Sequence, residues 1–158
     1  VSIRNQLIDD CALAKQVKNV RGKLWLGLTN TSIAARPYEN LSQLWGMITR
    51  SAYRQLNHSF ILLILTCAGM IVTYLLPWVF IILSLVVFNW VHLLLSFLTI
   101  ILMIKTYLPT LRLYQLPKIW SLLLPIAAFF YLLMTIHSAY LHKVGKGGNW
   151  KGRLQANG

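Results

Sequence analysis

Acidic side chains are nearly missing from this chain of 158 residues, which carries 3 Asp+Glu against 15 Lys+Arg and a formal charge of +12. Charged residues of both signs make up only 11%. A soluble domain carries about 25%, so a water-soluble globule of this composition would lack polar surface to cover itself. Cysteine is equally scarce. Cys11 and Cys67 stand far apart, with neither CxxC nor metal-ligand spacing, so no disulfide framework or zinc site is indicated. From Ser59 through Ile104 there is no formal charge at all. What is present is apolar: 57% hydrophobic residues and a mean hydropathy of +0.61. A nucleic-acid binder shares the excess of base but keeps an ordinary apolar fraction, because its phosphate contacts need a hydrated surface. The composition therefore excludes that class and indicates an integral membrane protein, mainly α-helical.

The two properties occupy different parts of the chain. Residues 1–58 hold all three acids, Asp9, Asp10 and Glu39, and the bases Arg4, Lys15, Lys18, Arg21, Lys23, Arg36, Arg50 and Arg54. The apolar part, 59–141, predicts membrane helices near 60–82, 88–104 and 119–141, each close to the roughly 20 residues that a crossing needs. Pro77 and Asn89-Trp90-Val91-His92 interrupt the first long run. A basic, Gly-rich tail, 142–158, follows. Trp78, Trp90, Tyr107, Tyr114, Trp120 and Tyr140 fall near the expected ends, where amphipathic rings settle at headgroup level or pack between helices. With three crossings the bases divide 11 to 4, with Lys143, Lys146, Lys151 and Arg153 on the far side. If 60–76 re-enters or lies in the interface, two crossings remain, and the split is 12 to 3 with the tail inside. Both arrangements keep residues 1–58 cytoplasmic. The chain opens on Val1, not Met, and reads as entered in mid-domain, so a fragment or split gene is expected. A polar segment of this length forms only a marginal core alone.

Within that segment, Asp9-Asp10 precede Cys11 to Lys18, where Leu13, Ala14 and Val17 recur at helical spacing and predict one apolar stripe against a core. The acid pair thus opens a helix, where unpaired N–H groups favour carboxylates by roughly 0.3–1 kcal/mol each. A plain helix cap has the same pattern. Arg21-Gly22-Lys23 reads as a helix stop, and Leu24-Trp25-Leu26-Gly27-Leu28 as a short buried strand. Further on, Trp45 to Leu56 predicts a helix with Arg50 and Arg54 one turn apart, just before the first apolar run. Guanidinium forks suit a diphosphate or lipid phosphate; snorkelling to anionic headgroups explains them equally. His92 and His137, within or near the apolar runs, are expected to hydrogen-bond between helices.

The set Asp9-Asp10-Cys11-Ala12-Leu13-Ala14, Lys18, Gly22 and Leu24-Trp25-Leu26-Gly27-Leu28 resembles the acidic motif and following strand of membrane family 2 glycosyltransferases, above all the hopene-associated group of bacterial enzymes of hopanoid biosynthesis. Arg36-Pro37-Tyr38 and Trp45 to Leu56 resemble that group's approach to the membrane. Tyr107-Leu108-Pro109-Thr110-Leu111-Arg112 resembles its loop before the last span, and Gly147 to Arg153 its tail. In place of the family's Gln/Arg-x-x-Arg-Trp motif the chain has Arg50-Ser51-Ala52-Tyr53-Arg54, so Tyr53 and Arg54 stand where Arg and Trp are usual.

The resemblance implies a fold and a chemistry. Residues 1–58 become the C-terminal αβ fragment of a cytoplasmic GT-A domain plus a juxtamembrane helix, in a bacterial inner-membrane protein. The activity is hexosyl transfer from a nucleotide sugar to a lipid or membrane-associated acceptor. Asp10 takes the place of the catalytic base and Asp9 that of the preceding acid. Arg50, Tyr53, Arg54 and Gln55, with Trp150, Lys151 and Arg153 of the tail, are the candidates for substrate or phosphate contact. The divalent metal (Mg or Mn) and nucleotide-binding half that the family uses have no ligands or motif in these residues, so a missing N-terminal half or partner chain is expected. The alternative is a small polytopic subunit or assembly factor, without catalytic activity, in which Asp9-Asp10 merely cap a helix.

Overall fold

The computed structural model describes residues 9–32, 37–146, 149–150 and 153–154. Helices dominate: α1 (Asp9–Asn19), α2 (Leu41–Gln55), α3 (Phe60–Met70), α4 (Leu76–Val87), α5 (Trp90–Leu113) and α6 (Leu124–Lys143). Two short strands, β1 (Asn149–Trp150) and β2 (Arg153–Leu154), pair antiparallel near the C-terminus. Among the described residues three stretches are long and apolar enough to cross a membrane: Phe60–Val87, Trp90–Leu113 and Lys118–Lys143. Only 11%, 11% and 22% of their most apolar windows are buried by protein. Ile82, Val86, Leu94, Phe97 and Phe129 face outward, which suits hydrocarbon and not water.

The ends of these helices follow from local chemistry. Asn40 caps α2, its Oδ1 accepting from Gln43 N at 2.9 Å, and Asn89 caps α5, accepting from His92 N at 3.2 Å. Helices α1, α2, α4, α5 and α6 each close with a left-handed residue (Arg21, Asn57, Phe88, Gln115 and Gly145), and the next N–H reaches back five residues. That hydrogen-bonded closure satisfies carbonyls that a helix end would otherwise leave unpaired. Phe88 and Asn89 alone connect α4 to α5.

The first apolar helix is not regular. Between α3 and α4 the five residues Ile71–Leu75 form a π-helical turn, with Leu76 N donating to Ile71 O. Pro77 explains it: proline has no N–H to donate and crowds the carbonyl four residues back, and a widened turn accommodates both. This helix runs on to Val87, past the expected end near 82, so Trp78 lies inside it. Likewise α5 continues through Lys105, Pro109 and Arg112 to Leu113, beyond the expected end near 104. The segment Tyr107 to Arg112, expected as a loop, is therefore helix, because one proline with its helical φ removes a single hydrogen bond from an otherwise continuous ladder. The third stretch opens with a 3₁₀ turn, Lys118–Leu123, and continues as α6.

The contacts group the chain into two units. In the unit of residues 29–33 and 64–133, α4 packs along α5, and Ser84, Ser96, Ile100, Met103, Leu111 and Ser121 are buried. Small hydroxyl residues at such contacts let helices approach closely. In the unit of residues 1–28, 34–63 and 134–158, Thr49, Ala52, Leu63, Met134, Thr135 and Ser138 are buried.

The αβ unit expected in residues 1–58 forms only in part. Helix α1 starts at the acid pair as anticipated, but Leu13 is exposed and Ala14 and Val17 are half-covered. Leu24 to Leu28 has no regular structure, with Trp25 85% and Leu26 100% exposed. A five-residue apolar run becomes a strand only by pairing its N–H and C=O groups with a neighbour, and the described residues offer none.

Candidate functional site

Two clusters carry polar chemistry. The first is the start of α1, where Asp10 is exposed and its Oδ1 accepts a hydrogen bond from Cys11 N at 2.8 Å. A carboxylate in the first helical turn interacts favourably with the unpaired backbone N–H groups there. The side chain of Asp9 lies outside the described residues.

The second cluster is built where α2 crosses the C-terminal half of α6. Trp45 Nε1 donates to His137 Nδ1 at 2.8 Å. Two turns further along α2, Tyr53 N donates to the buried Ser138 hydroxyl at 3.0 Å. Just past the end of α2, the His58 imidazole stacks on that of His142, with ring centroids 4.1 Å apart and planes at 16°. The Tyr53 ring lies 5.5 Å from His58 and 5.3 Å from His142, and its hydroxyl donates to His58 O at 2.7 Å. The His58 ring is largely exposed, yet partial desolvation pushes its pKa down, and the neighbouring His142 and Arg54 push it the same way. Arg50 is also lowered by partial burial, with Tyr38 opposing the shift, so the loop before α2 brings its phenol near that guanidinium.

The sequence-predicted phosphate contacts thus divide. Tyr53 and Arg54 gather at the His58–His142 pair, Arg50 lies one turn earlier beside Tyr38, and Gln55 is exposed at the end of α2. Trp150 and Arg153 are opposed in the β1–β2 register, while their side chains, and all of Lys151, lie outside the described residues. Arg36 also lies outside them. His137 makes the interhelical hydrogen bond expected of it; His92 instead stacks against Phe80, with centroids 6.3 Å apart. Ser138, His58 and His142 were not anticipated as a cluster, although polar side chains at 137, 138 and 142 in a run otherwise fit for lipid were a visible signal.

Both cysteines are free thiols. No group of three or more His, Cys, Asp or Glu side chains among the described residues is placed to hold a metal ion, so the divalent ion implied by the resemblance finds no ligand set there. A cavity of ≈ 70 Å³ at the α4–α5 turn is lined by Ser84, Leu85, Phe88, Asn89, Trp90 and Leu93. It is large enough to hold water. Comparison with protein-family models, with curated proteins and with solved structures finds no match to this chain.

Proposed function

We propose that this chain is the membrane-embedded, C-terminal part of a family 2-like glycosyltransferase that moves a hexosyl group from a nucleotide sugar to a lipid or membrane-associated acceptor. The observation that carries the reading is the order of features. An exposed carboxylate opens a helix, an amphipathic helix bearing Arg50, Tyr53 and Arg54 precedes the first apolar stretch, and a basic tail follows the last.

In this reaction Asp10 accepts the proton of the acceptor hydroxyl while that oxygen attacks the anomeric carbon. The bond from that carbon to the donor's phosphate breaks, and the nucleoside diphosphate leaves with the electron pair. Arg50 and Arg54 serve phosphate oxygens at the membrane surface. The donor-binding half and its divalent ion are supplied from outside residues 1–158. The exposed Leu24 to Leu28 run supports that need, since an apolar segment without a neighbouring strand fits the edge of a sheet completed by that half.

The test is transfer of radiolabelled sugar into lipid by membranes that contain this chain together with the product of its upstream coding sequence. General-base catalysis contributes typically 10²–10⁴ in rate, so Asp10→Asn is expected to lose activity by about that factor. Unchanged transfer in Asp10→Asn removes it as the base. No transfer with any donor, together with an upstream sequence lacking a DxD pair, favours the non-catalytic subunit, for which Leu24 to Leu28 is a docking segment.

A further inference from the structure

The contacts between α2 and α6 bear on how the chain threads the membrane. His58 lies two residues before the first apolar helix begins at Phe60, and His142 lies in the last turn of the third, which ends at Lys143. If all three apolar helices crossed the membrane, these two residues would stand on opposite faces, separated by the roughly 30 Å of the hydrocarbon core. Their rings are stacked with centroids 4.1 Å apart. The stack is not an isolated contact, because Trp45 with His137 and Tyr53 with Ser138 join the same two elements at 2.8 and 3.0 Å. A chain that begins and ends its apolar part on one face crosses an even number of times.

We infer that residues 1–58 and the C-terminal tail lie on the same face of the membrane, the three apolar helices making two complete crossings, and that the basic side chains of this face meet the phosphates of an anionic leaflet.

Charge distribution agrees with this arrangement but by itself does not separate it from three crossings, since one base is all that changes the count. Three crossings would send Lys143, Lys146, Lys151 and Arg153 to the far side. With an even number the tail returns, and the bases left opposite are at most Lys105, Arg112 and Lys118. Every even arrangement therefore places at least 12 of the 15 bases beside the N-terminal segment, against 11 with three crossings. Lys and Arg near a span favour the cytoplasmic side, and each is worth about 1 kcal/mol against an anionic surface. No acid follows Glu39, so nothing in the tail opposes that attraction. The consequence for the proposed function, on which the topology itself does not depend, is that the tail reaches the compartment of Asp10.

Thiol labelling of the full chain in native membranes tests the inference. Cys11 is exposed and reports the N-terminal face once Cys67 is replaced by Ser; Lys146→Cys in a Cys11→Ser/Cys67→Ser background reports the tail. A membrane-impermeant maleimide is added to right-side-out and to inside-out vesicles. Both thiols are expected to react in the same vesicle preparation and to be protected in the other. Reaction in opposite preparations overturns the inference. A second measurement does not rely on sidedness: His58→Cys/His142→Cys in the cysteine-free background is expected to be joined within one chain by a short bismaleimide, and a His58→Cys/Gln115→Cys chain serves as the comparison. Joining no faster than that comparison overturns the clasp on which the inference rests. Neither readout requires sugar transfer, so failure here is distinct from failure of the enzymatic reading.

Discussion

The Trp45–His137 hydrogen bond is the sharpest point at which the α2–α6 contact can be weighed. The indole N–H lies 2.8 Å from Nδ1 and the pair is partly buried. A hydrogen bond of this kind contributes about 0.5–1.5 kcal/mol net, and leaving a fully buried acceptor unmade costs about 1–3 kcal/mol. Both residues are only half-buried, and polar contacts between membrane helices average well under about 1–2 kcal/mol, so the lower range applies. Trp45→Phe also removes contact area, which has nothing to do with the hydrogen bond. A double-mutant cycle with His137→Leu cancels that part, since it is lost in both backgrounds. The coupling that remains is expected near 1 kcal/mol, about a fivefold change in the equilibrium constant, and comparable with values for polar contacts between membrane helices. Equilibrium unfolding in mixed micelles of the wild type, the two single variants and the double variant supplies the four terms. Additivity within about 0.3 kcal/mol would refute the contact as an energetic link between α2 and α6.

Three further outcomes follow from single positions. The depressed pKa of His58 means that the neutral ring fits the folded chain better than the charged one. Its contribution is complete above the unfolded value of about 6.5 and is lost as pH falls through the lower folded value; protection of the amides in the last turn of α2, taken relative to their intrinsic exchange rate at each pH, is expected to fall as the pH is lowered, and His58→Gln to abolish that change. Leu111 is 1% exposed, so Leu111→Ala is expected to destabilise the chain by about 2–5 kcal/mol in the same micellar unfolding; a loss under 1 kcal/mol would mean the site collapses around the gap. Gly145 holds φ +72° where α6 ends, a conformation that costs an L-residue about 1–2 kcal/mol, so Gly145→Ala is expected to fray the last turn, seen as faster exchange at Lys146 N.

The apolar helices were legible because their signal is additive over about 20 residues and needs no partner. Their ends were less so. Lys105, Pro109 and Arg112 look like a stop, yet a long cation can extend its head to the interface, and a proline near a helix end breaks one hydrogen bond only, so α5 runs to Leu113. Leu24 to Leu28 shows the converse error. An apolar run reads alike whether or not its neighbour is at hand, and strand formation is a property of the pair. The meeting of Trp45 with His137 was beyond any local pattern, since the two lie 92 residues apart. What the sequence did carry was the type of residue: polar side chains inside the last apolar stretch had to find partners.

The near-absence of acids then explains how the contact is made. Beyond Glu39 the sequence has no Asp or Glu, and α2 meets α6 through groups that are neutral. The contacts observed are of that kind: indole to imidazole, backbone N–H to a serine hydroxyl, imidazole on imidazole. Such contacts have little response to ionic strength, whereas attraction of the surrounding bases to anionic headgroups is screened within about 8 Å at physiological salt. Salt and acid are therefore expected to separate the two. Raising the salt should release residues 1–58 from anionic vesicles while leaving the His58→Cys/His142→Cys cross-link intact. Lowering the pH should loosen the end of α2 in the chain that retains both histidines and should leave its attachment to the lipid. Loss of the cross-link in high salt would mean that lipid, not the α2–α6 contact, holds the two ends together.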